Sequence, residues 1–291
     1  MKVHKSLYLF LIPGFFLYFT FFIVPTLGAF FYSITDWDGV NQQFNFVGLF
    51  NYTSLLTDDT VFITSINNNL KFLLFVVFFQ TLLSLIFALI LMKNTKTNIF
   101  YRALFFFPTI LSSVSVAFIW SFIYAPDLGL LNPLLQSIGL GMLTQSWLGN
   151  PDIAIFSIAF VQVWFHTGQV MVIFIAGLQN VPKELYEAAI VDGANKWQRF
   201  TKITWPLIAP ATTIVVGYTT IQSFKAFDLI FAMTGGGPAY STEILATFIY
   251  NSAFSNYQFG YASAASVVLM VIVAGLTLVQ FRLVNRNKVE Y

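Results

Sequence analysis

Six polar side chains stand at helical spacing within apolar sequence. Gln162, His166 and Gln169 are separated by four and three residues, and Thr219, Gln222 and Ser223 lie within five positions of one another, so each set falls on one face of a helix. Amides, hydroxyls and imidazole both donate and accept hydrogen bonds. That is the chemistry that recognises a polyhydroxyl solute, and Trp164, Phe165, Tyr218 and Phe224 would place aromatic faces beside it. The same groups serve equally as hydrogen-bonded packing between membrane helices, Thr219 and Ser223 more commonly so, and spacing alone leaves both readings open. Lys225 and Asp228 are three apart, which suits a structural ion pair better than a proton relay.

Covalent catalysis finds no support. Cysteine is absent, which removes thiolate nucleophiles, disulfides and thiolate metal sites together. His166 has no paired nucleophile or metal-ligand cluster around it, and His4 is an isolated terminal residue. No G-x-x-x-x-G-K-[ST] phosphate loop occurs either. No catalytic residue, metal ligand or cofactor bound by this chain is therefore expected.

The elements that must position these groups follow from composition. Charged residues make up 9% of 291, apolar residues 57% and aromatics 19%, with a mean hydropathy of +0.76, whereas an ordinary soluble domain is about 25% charged. Crossing about 30 Å of hydrocarbon takes about 20 residues of helix. Six runs qualify, near 7–33, 70–92, 103–125, 153–179, 205–231 and 260–284, predicting an all-α polytopic membrane protein with a single transmembrane domain over 1–291. The first run follows a basic start but is too long for a signal peptide and lacks an A-x-A site, so it reads as a retained span. Counted from their inner ends, Gln162–Gln169 and Thr219–Ser223 sit at similar depth, about 15–25 Å.

Charge then sets the orientation. Lys2, Lys5, Lys93, Lys96, Arg102, Lys183, Lys196, Arg199, Lys202, Arg282, Arg286 and Lys288 fall in the termini and two loops on one side, and Asp36, Asp38, Asp58, Asp59, Asp127, Asp152 and Glu243 fall on the other. By the positive-inside rule both termini are cytoplasmic. The net charge of +2 is scattered, which argues against a nucleic-acid partner. Outside, 34–69 is polar, with Asn67-Asn68-Asn69 just ahead of the second span, and 126–151 is an amphipathic stretch suited to the outer leaflet.

The inner loop 180–204 contains Glu187-Ala188-Ala189-Ile190-Val191-Asp192-Gly193-Ala194, followed by Phe200, Ile203, Pro206 and Pro210. Small residues after an acid make a face that another surface can approach closely, and Gly193 permits a turn that a Cβ would strain. The pattern predicts a short helix, a turn and a second helix, outside the membrane. It resembles the EAA loop of permease subunits in bacterial ABC importers. A second window, Phe227-Asp228-Leu229-Ile230-Phe231-Ala232-Met233-Thr234-Gly235-Gly236-Gly237-Pro238 followed by Thr242, resembles the signature of the carbohydrate-uptake branch, the maltose and glycerol-phosphate type permeases. Asp36-Trp37-Asp38-Gly39, Phe46-Val47-Gly48-Leu49 and Gly129-Leu130-Leu131-Asn132 resemble the same branch at matching relative positions, so the likeness runs from about residue 8 to the C-terminus. Trp205 departs from the usual Leu before Pro206.

The resemblance implies half of a translocation path for a sugar or sugar derivative, in the cytoplasmic membrane of a bacterium. It implies a second permease subunit, two copies of an ATP-binding-cassette ATPase that hold ATP and Mg, and an extracytoplasmic solute-binding protein. It assigns ATPase coupling to Glu187, Ala188, Ala189, Asp192, Gly193 and Ala194, and raises the stripes on the fourth and fifth spans as path lining. The alternative, an ion-coupled secondary transporter of a small polar solute, predicts several intramembrane carboxylates, and none lies away from the helix ends. An intramembrane enzyme ranks last, with His166 as its one imidazole.

Overall fold

A computed structural model describes residues 10–285 of the chain. Lys2, His4, Lys5, Arg286 and Lys288, and residues 7–9 of the first expected span, lie outside the described residues. The described residues form helices joined by turns and loops, without strands; one isolated antiparallel bridge joins Thr35 and Phe46. Helix α1 runs over Leu11–Tyr32, with a π turn at Phe19–Ile23 just ahead of Pro25. Then come α2 (Phe50–Thr57), α3 (Thr60–Leu91), α4 (Lys96–Phe106), α5 (Ser113–Ile123) and α6 (Leu131–Ser137). The rest are α7 (Ala154–Gln179), α8 (Lys183–Val191), α9 (Lys196–Leu207), α10 (Ala209–Phe224), α11 (Phe227–Thr234), α12 (Leu245–Tyr250) and α13 (Phe259–Asn285). Among the described residues, four helices are long and apolar enough to cross a membrane, and up to six spans result if each of two bent pairs counts as one.

The bent pairs are where the structure departs from six straight spans. The third expected span is α4, continued by a 3-10 turn at Phe107–Ile110, and α5, crossing at 98°. Pro108 supplies no N–H to the ladder, and Leu111 and Ser112 are extended. The fifth is α9 and α10, bent by 64° at Ile208, where Pro206 and Pro210 crowd the junction. It breaks again at Lys225–Ala226 before α11. The second expected span begins earlier than expected, because Asp59 Oδ1 accepts the Phe62 N–H at 2.8 Å and starts α3 at Thr60. Asn67, Asn68 and Asn69 therefore lie inside a helix rather than in a loop ahead of it.

The chain divides into two compact units. The first comprises Met1–Ile63 and Phe248–Ile272. Its centre is an aromatic corner in which Trp37 stacks on Tyr32 at 4.1 Å and donates from Nε1 to the Asn41 carbonyl at 2.8 Å. Buried Asn51 donates to the carbonyls of Ser33 and Thr35, both at 2.9 Å. Asp36 takes two hydrogen bonds from Asn45, and Asp38 takes those of Val40 and Asn41, so both carboxyls are held below the usual carboxylate range.

The second unit, Thr64–Thr247 with Val273–Tyr291, holds the two apolar cores. One gathers Phe72, Val116, Ile158, Val161, Leu229 and Ile244, and the other Leu85, Val170, Phe174, Ile208 and Val215. Small residues let the helices approach closely. A Cβ at Gly168 of α7 would meet the Phe105 carbonyl of α4, and one at Gly177 would meet Ala211 of α10. Ser84 on α3 donates to the Thr167 carbonyl at 2.9 Å. Asn68 donates to the carbonyls of Tyr240 (2.9 Å) and Glu243 (3.0 Å), and Asn69 accepts the Leu245 N–H at 2.9 Å. The loop after α11 is thus tied to α3. The 126–151 stretch carries α6 and leaves Leu134, Ile138 and Met142 exposed.

Gly168→Val should press two branches into the α4 backbone, at a cost of about 1–3 kcal/mol or more. Recovery of monodisperse protein in detergent and the thermal midpoint should both fall. Gly275→Val, where nothing lies within 4 Å of the added Cβ, should leave both measurements near wild type.

Candidate functional site

Two helix breaks of the second unit, at Leu111–Ser112 and Lys225–Ala226, meet at a cavity of about 450 Å³. Leu111 and Ser113 enter from the break between α4 and α5, Gln162, Phe165 and His166 from α7, and Tyr218, Ile221 and Gln222 from α10. Lys225, Ala226, Asp228 and Leu229 close it from the break between α10 and α11. Polar and broken backbone is tolerated within a membrane protein where it lines a cavity, and this cavity collects both.

The two sequence stripes divide. Gln162, His166 and Gln222 line the cavity, whereas Gln169 is half-buried away from it. Thr219 and Ser223 are fully buried behind the lining, where Ser223 Oγ donates to the Thr219 carbonyl at 2.8 Å. The Thr219 hydroxyl has no partner there. Gln162 is 3% exposed and its carboxamide has no hydrogen-bond partner among the described residues. The His166 ring nitrogen Nδ1 lies 3.3 Å from the Gln162 carbonyl oxygen. Gln222 Nε2 reaches the Tyr218 hydroxyl and Gln80 Nε2 reaches Gln222 Oε1, both at 3.4 Å, lengths at the weak end of hydrogen bonding.

Lys225 and Asp228 are not the ion pair that their spacing suggested. Asp228 Oδ2 instead accepts from Ser113 Oγ at 3.2 Å, and both charged residues face the cavity. The break in the helix between them explains the outcome, because the three-residue rule holds only along continuous helix. Gln80 escaped the sequence reading because it stands apart on α3, away from the two stripes. The signal that could have found it is an amide in a hydrophobic span, and its Oε1 is buried without a partner.

The second candidate region is the helix–turn–helix of α8 and α9. Helix α8 buries no residue, and Glu187, Ala188, Asp192 and Gly193 are exposed while Ala189 and Ala194 are half-buried. Exposed apolar groups flank them, with Val191 at 87%, Trp197 at 70% and Ile190 at 56%. The turn has a defined cap. Gly193, at φ +76°, donates to the Ile190 carbonyl at 3.0 Å, and Ala194 donates to the Ala189 carbonyl at 2.8 Å, the Schellman arrangement. Asn195 then starts α9 through a capping box with Gln198. Tyr186 anchors the motif, its hydroxyl 2.9 Å from Thr204 Oγ1 and its ring against the second apolar core.

Comparison with known proteins places these features. Residues 80–289 match the family described as binding-protein-dependent transport system inner membrane component. A probable ABC transporter permease protein of Bacillus subtilis, YurN, is 37% identical over 97% of this chain and 97% of its own length. The multiple sugar-binding transport system permease protein MsmF of Streptococcus mutans is 35% identical over 96% and 95%. The sn-glycerol-3-phosphate transport system permease protein UgpA of Agrobacterium fabrum is 34% identical over 96% and 94%. In fold, the chain is similar to one in the crystal structure of a bacterial alginate ABC transporter in complex with alginate pentasaccharide-bound periplasmic protein. That likeness has a TM-score of 0.84 at 22% identity, over 97% of this chain and 94% of the other.

Gly193→Ala adds no clash, since nothing lies within 4 Å of the new Cβ, but it forces a left-handed residue at about 1–2 kcal/mol. Hydrogen–deuterium exchange of the amides from 188 to 198 should quicken by about 5–30-fold, with no change in α7. Unchanged exchange would mean that the turn relaxes to a different cap.

Proposed function

The chain belongs to the binding-protein-dependent transport system inner membrane component family, and on that premise we propose that it forms half of the transmembrane path for a sugar or sugar derivative. It is a multi-pass inner membrane permease of an ABC importer and not itself an ATPase. ATP and Mg belong to two partner ATPase subunits, substrate arrives on an extracytoplasmic binding protein, and a second permease completes the path. The sugar assignment draws on relatives named for multiple-sugar, starch-degradation-product and diacetylchitobiose transport.

One observation carries the mechanical part of the reading. The exposed α8–α9 motif is the direct link between α7 and α10, the two helices that contribute Gln162, His166, Tyr218 and Gln222 to the cavity. A displacement of α8 by an ATPase is therefore delivered to both walls at once, and the cavity changes access as populations shift between two states. Glu187, Ala188, Ala189, Asp192, Gly193 and Ala194 form the docking face. The carboxylate of Glu187 offers a charge to a basic residue of the ATPase, and the alanines permit close approach. Gln162, His166 and Gln222 line the path, with Gln169, Thr219 and Ser223 as supporting polar positions around it. Both termini and the 180–204 loop face the cytoplasm, which the distribution of Lys and Arg supports.

Single cysteines at Lys196 and Ala239 in this cysteine-free chain should label from opposite sides of the membrane with an impermeant maleimide. Labelling of both from outside would refute the orientation. Coupling is tested with the reconstituted importer. Glu187→Lys sets like charges against each other at a docked surface, which costs several kcal/mol. With loaded binding protein present, uptake and stimulated ATP hydrolysis should fall together, while the permease stays in the membrane. Normal stimulation in a Glu187→Lys, Gly193→Val double variant would remove coupling from this loop.

A further inference from the structure

We infer that α9 is a lipid-contacting element, in which Trp205 sits among the headgroups of the inner leaflet and Arg199, helped by Lys202, binds the phosphate of an anionic phospholipid. The inference rests on the reading above that the 180–204 loop faces the cytoplasm, and it gives the two helices of that loop different partners. Helix α8 and its C-cap hold Lys183 against Glu184, Glu187 and Asp192, whereas α9 holds Lys196, Arg199 and Lys202 with no acid. An anionic membrane surface attracts the second helix and repels the first. The face proposed to meet the ATPase belongs to α8 and the turn, and α9 is left with the opposite sign.

Geometry keeps α9 at the bilayer. It meets α10 at a bend of 64°. With α10 along the membrane normal, the roughly 18 Å of helix from Lys196 to Ile208 therefore descends only about 8 Å from the start of the crossing. That matches the headgroup layer, about 5–8 Å thick on each side of the hydrocarbon. A straight continuation of α10 would carry Lys196 more than twice as far into the cytoplasm.

The side chains of α9 then divide by face. Phe200, Ile203 and Leu207 pack on the second apolar core. The rings of Trp197 and Trp205 flank that of Phe200 at centroid distances of 5.8 and 6.3 Å, and remain 70% and 48% exposed. An indole with one face on protein and its N–H outward suits the membrane–water boundary. Arg199 is half-buried, and its Nε is sealed from solvent without an acceptor among the described residues. A desolvated guanidinium N–H calls for an acceptor, and a phosphate takes two parallel hydrogen bonds from that fork. Lys202 is exposed beyond it and adds a second cation. Trp205 replaces the Leu usual before this proline, so the indole anchor is a property of this chain.

The test uses the assembled importer in phosphatidylcholine nanodiscs doped with a phosphatidylglycerol probe that carries a photoactivatable diazirine beside its headgroup. Crosslinks, mapped by mass spectrometry, should fall within 196–205 and be absent from 184–192. Excess unlabelled phosphatidylglycerol should compete them away, whereas added phosphatidylcholine and inorganic phosphate should not. Arg199→Gln and Lys202→Gln should each lower labelling about fivefold, the contribution of one cation near an anionic surface. Arg199→Lys should lose less, and Trp205→Leu should lower labelling as well, with co-purification of the ATPase confirming assembly of every variant. Four results overturn the inference: equal competition by phosphatidylcholine; competition by inorganic phosphate, which would mark a free-anion site; unchanged labelling in Arg199→Gln; or labelling that emerges only once the ATPase or the second permease is removed, which would make that subunit the occupant of this face. Labelling of Lys196→Cys by an impermeant maleimide from outside would instead refute the orientation on which the inference rests.

Discussion

Backbone N–H and C=O groups cannot be left unpaired in hydrocarbon, yet this chain interrupts two of its spans. The interruptions at Leu111–Ser112 and Lys225–Ala226 both fall at the lining of one cavity. Several close contacts of the second unit surround that arrangement. Gly168 brings α7 onto the backbone of α4 just before its break, Gly177 and Ala211 seat α10 against α7, and Ser84 ties α3 to the same helix. Close packing of small residues and a few interhelical hydrogen bonds thereby replace the lipid that could not solvate the broken ladder.

Sites and elements were not equally legible in the sequence. The helix–turn–helix of α8 and α9 was readable because its signal is local: Gly193, two residues beyond the Ile190-Val191 pair, suits a turn that a Cβ would strain. The number and rough location of apolar runs were readable for the same reason. The bends were not. Pro108, Pro206 and Pro210 announce irregularity, but whether a proline kinks a span slightly or turns it through 98° depends on what packs into the gap. Straight-helix geometry consequently paired Lys225 with Asp228 and placed Thr219 and Ser223 beside Gln222. The fold sends the charges to the cavity and the hydroxyls behind it.

The three asparagines illustrate a different limit. Asn67-Asn68-Asn69 has the composition of a loop, and helix propensity argues weakly against it in α3. Tertiary context overrides both, because Asn68 donates to the carbonyls of Tyr240 and Glu243 and Asn69 accepts the Leu245 N–H in the segment after α11. No periodicity in residues 60–91 carries information about a loop some 170 positions away. Asn67-Asn68-Asn69 was expected just ahead of the second span, and its place within α3 and its partners became visible only with the fold.

Helix α3 contains neither proline nor glycine, in contrast to the jointed elements it packs among. Along it stand four polar stations: Asn68 holding the loop after α11, Gln80 beside Gln222, Ser84 on the α7 backbone, and the Leu91 carbonyl taking Arg102 Nε at 2.8 Å. From Asn68 to Leu91 the rod covers about 35 Å at 1.5 Å per residue, most of a bilayer's thickness. A stiff member among hinged ones has the mechanics of a crank rather than a spring. One unbroken helix thus joins the loop after α11, the amide beside Gln222 and the Arg102 cap along a single line.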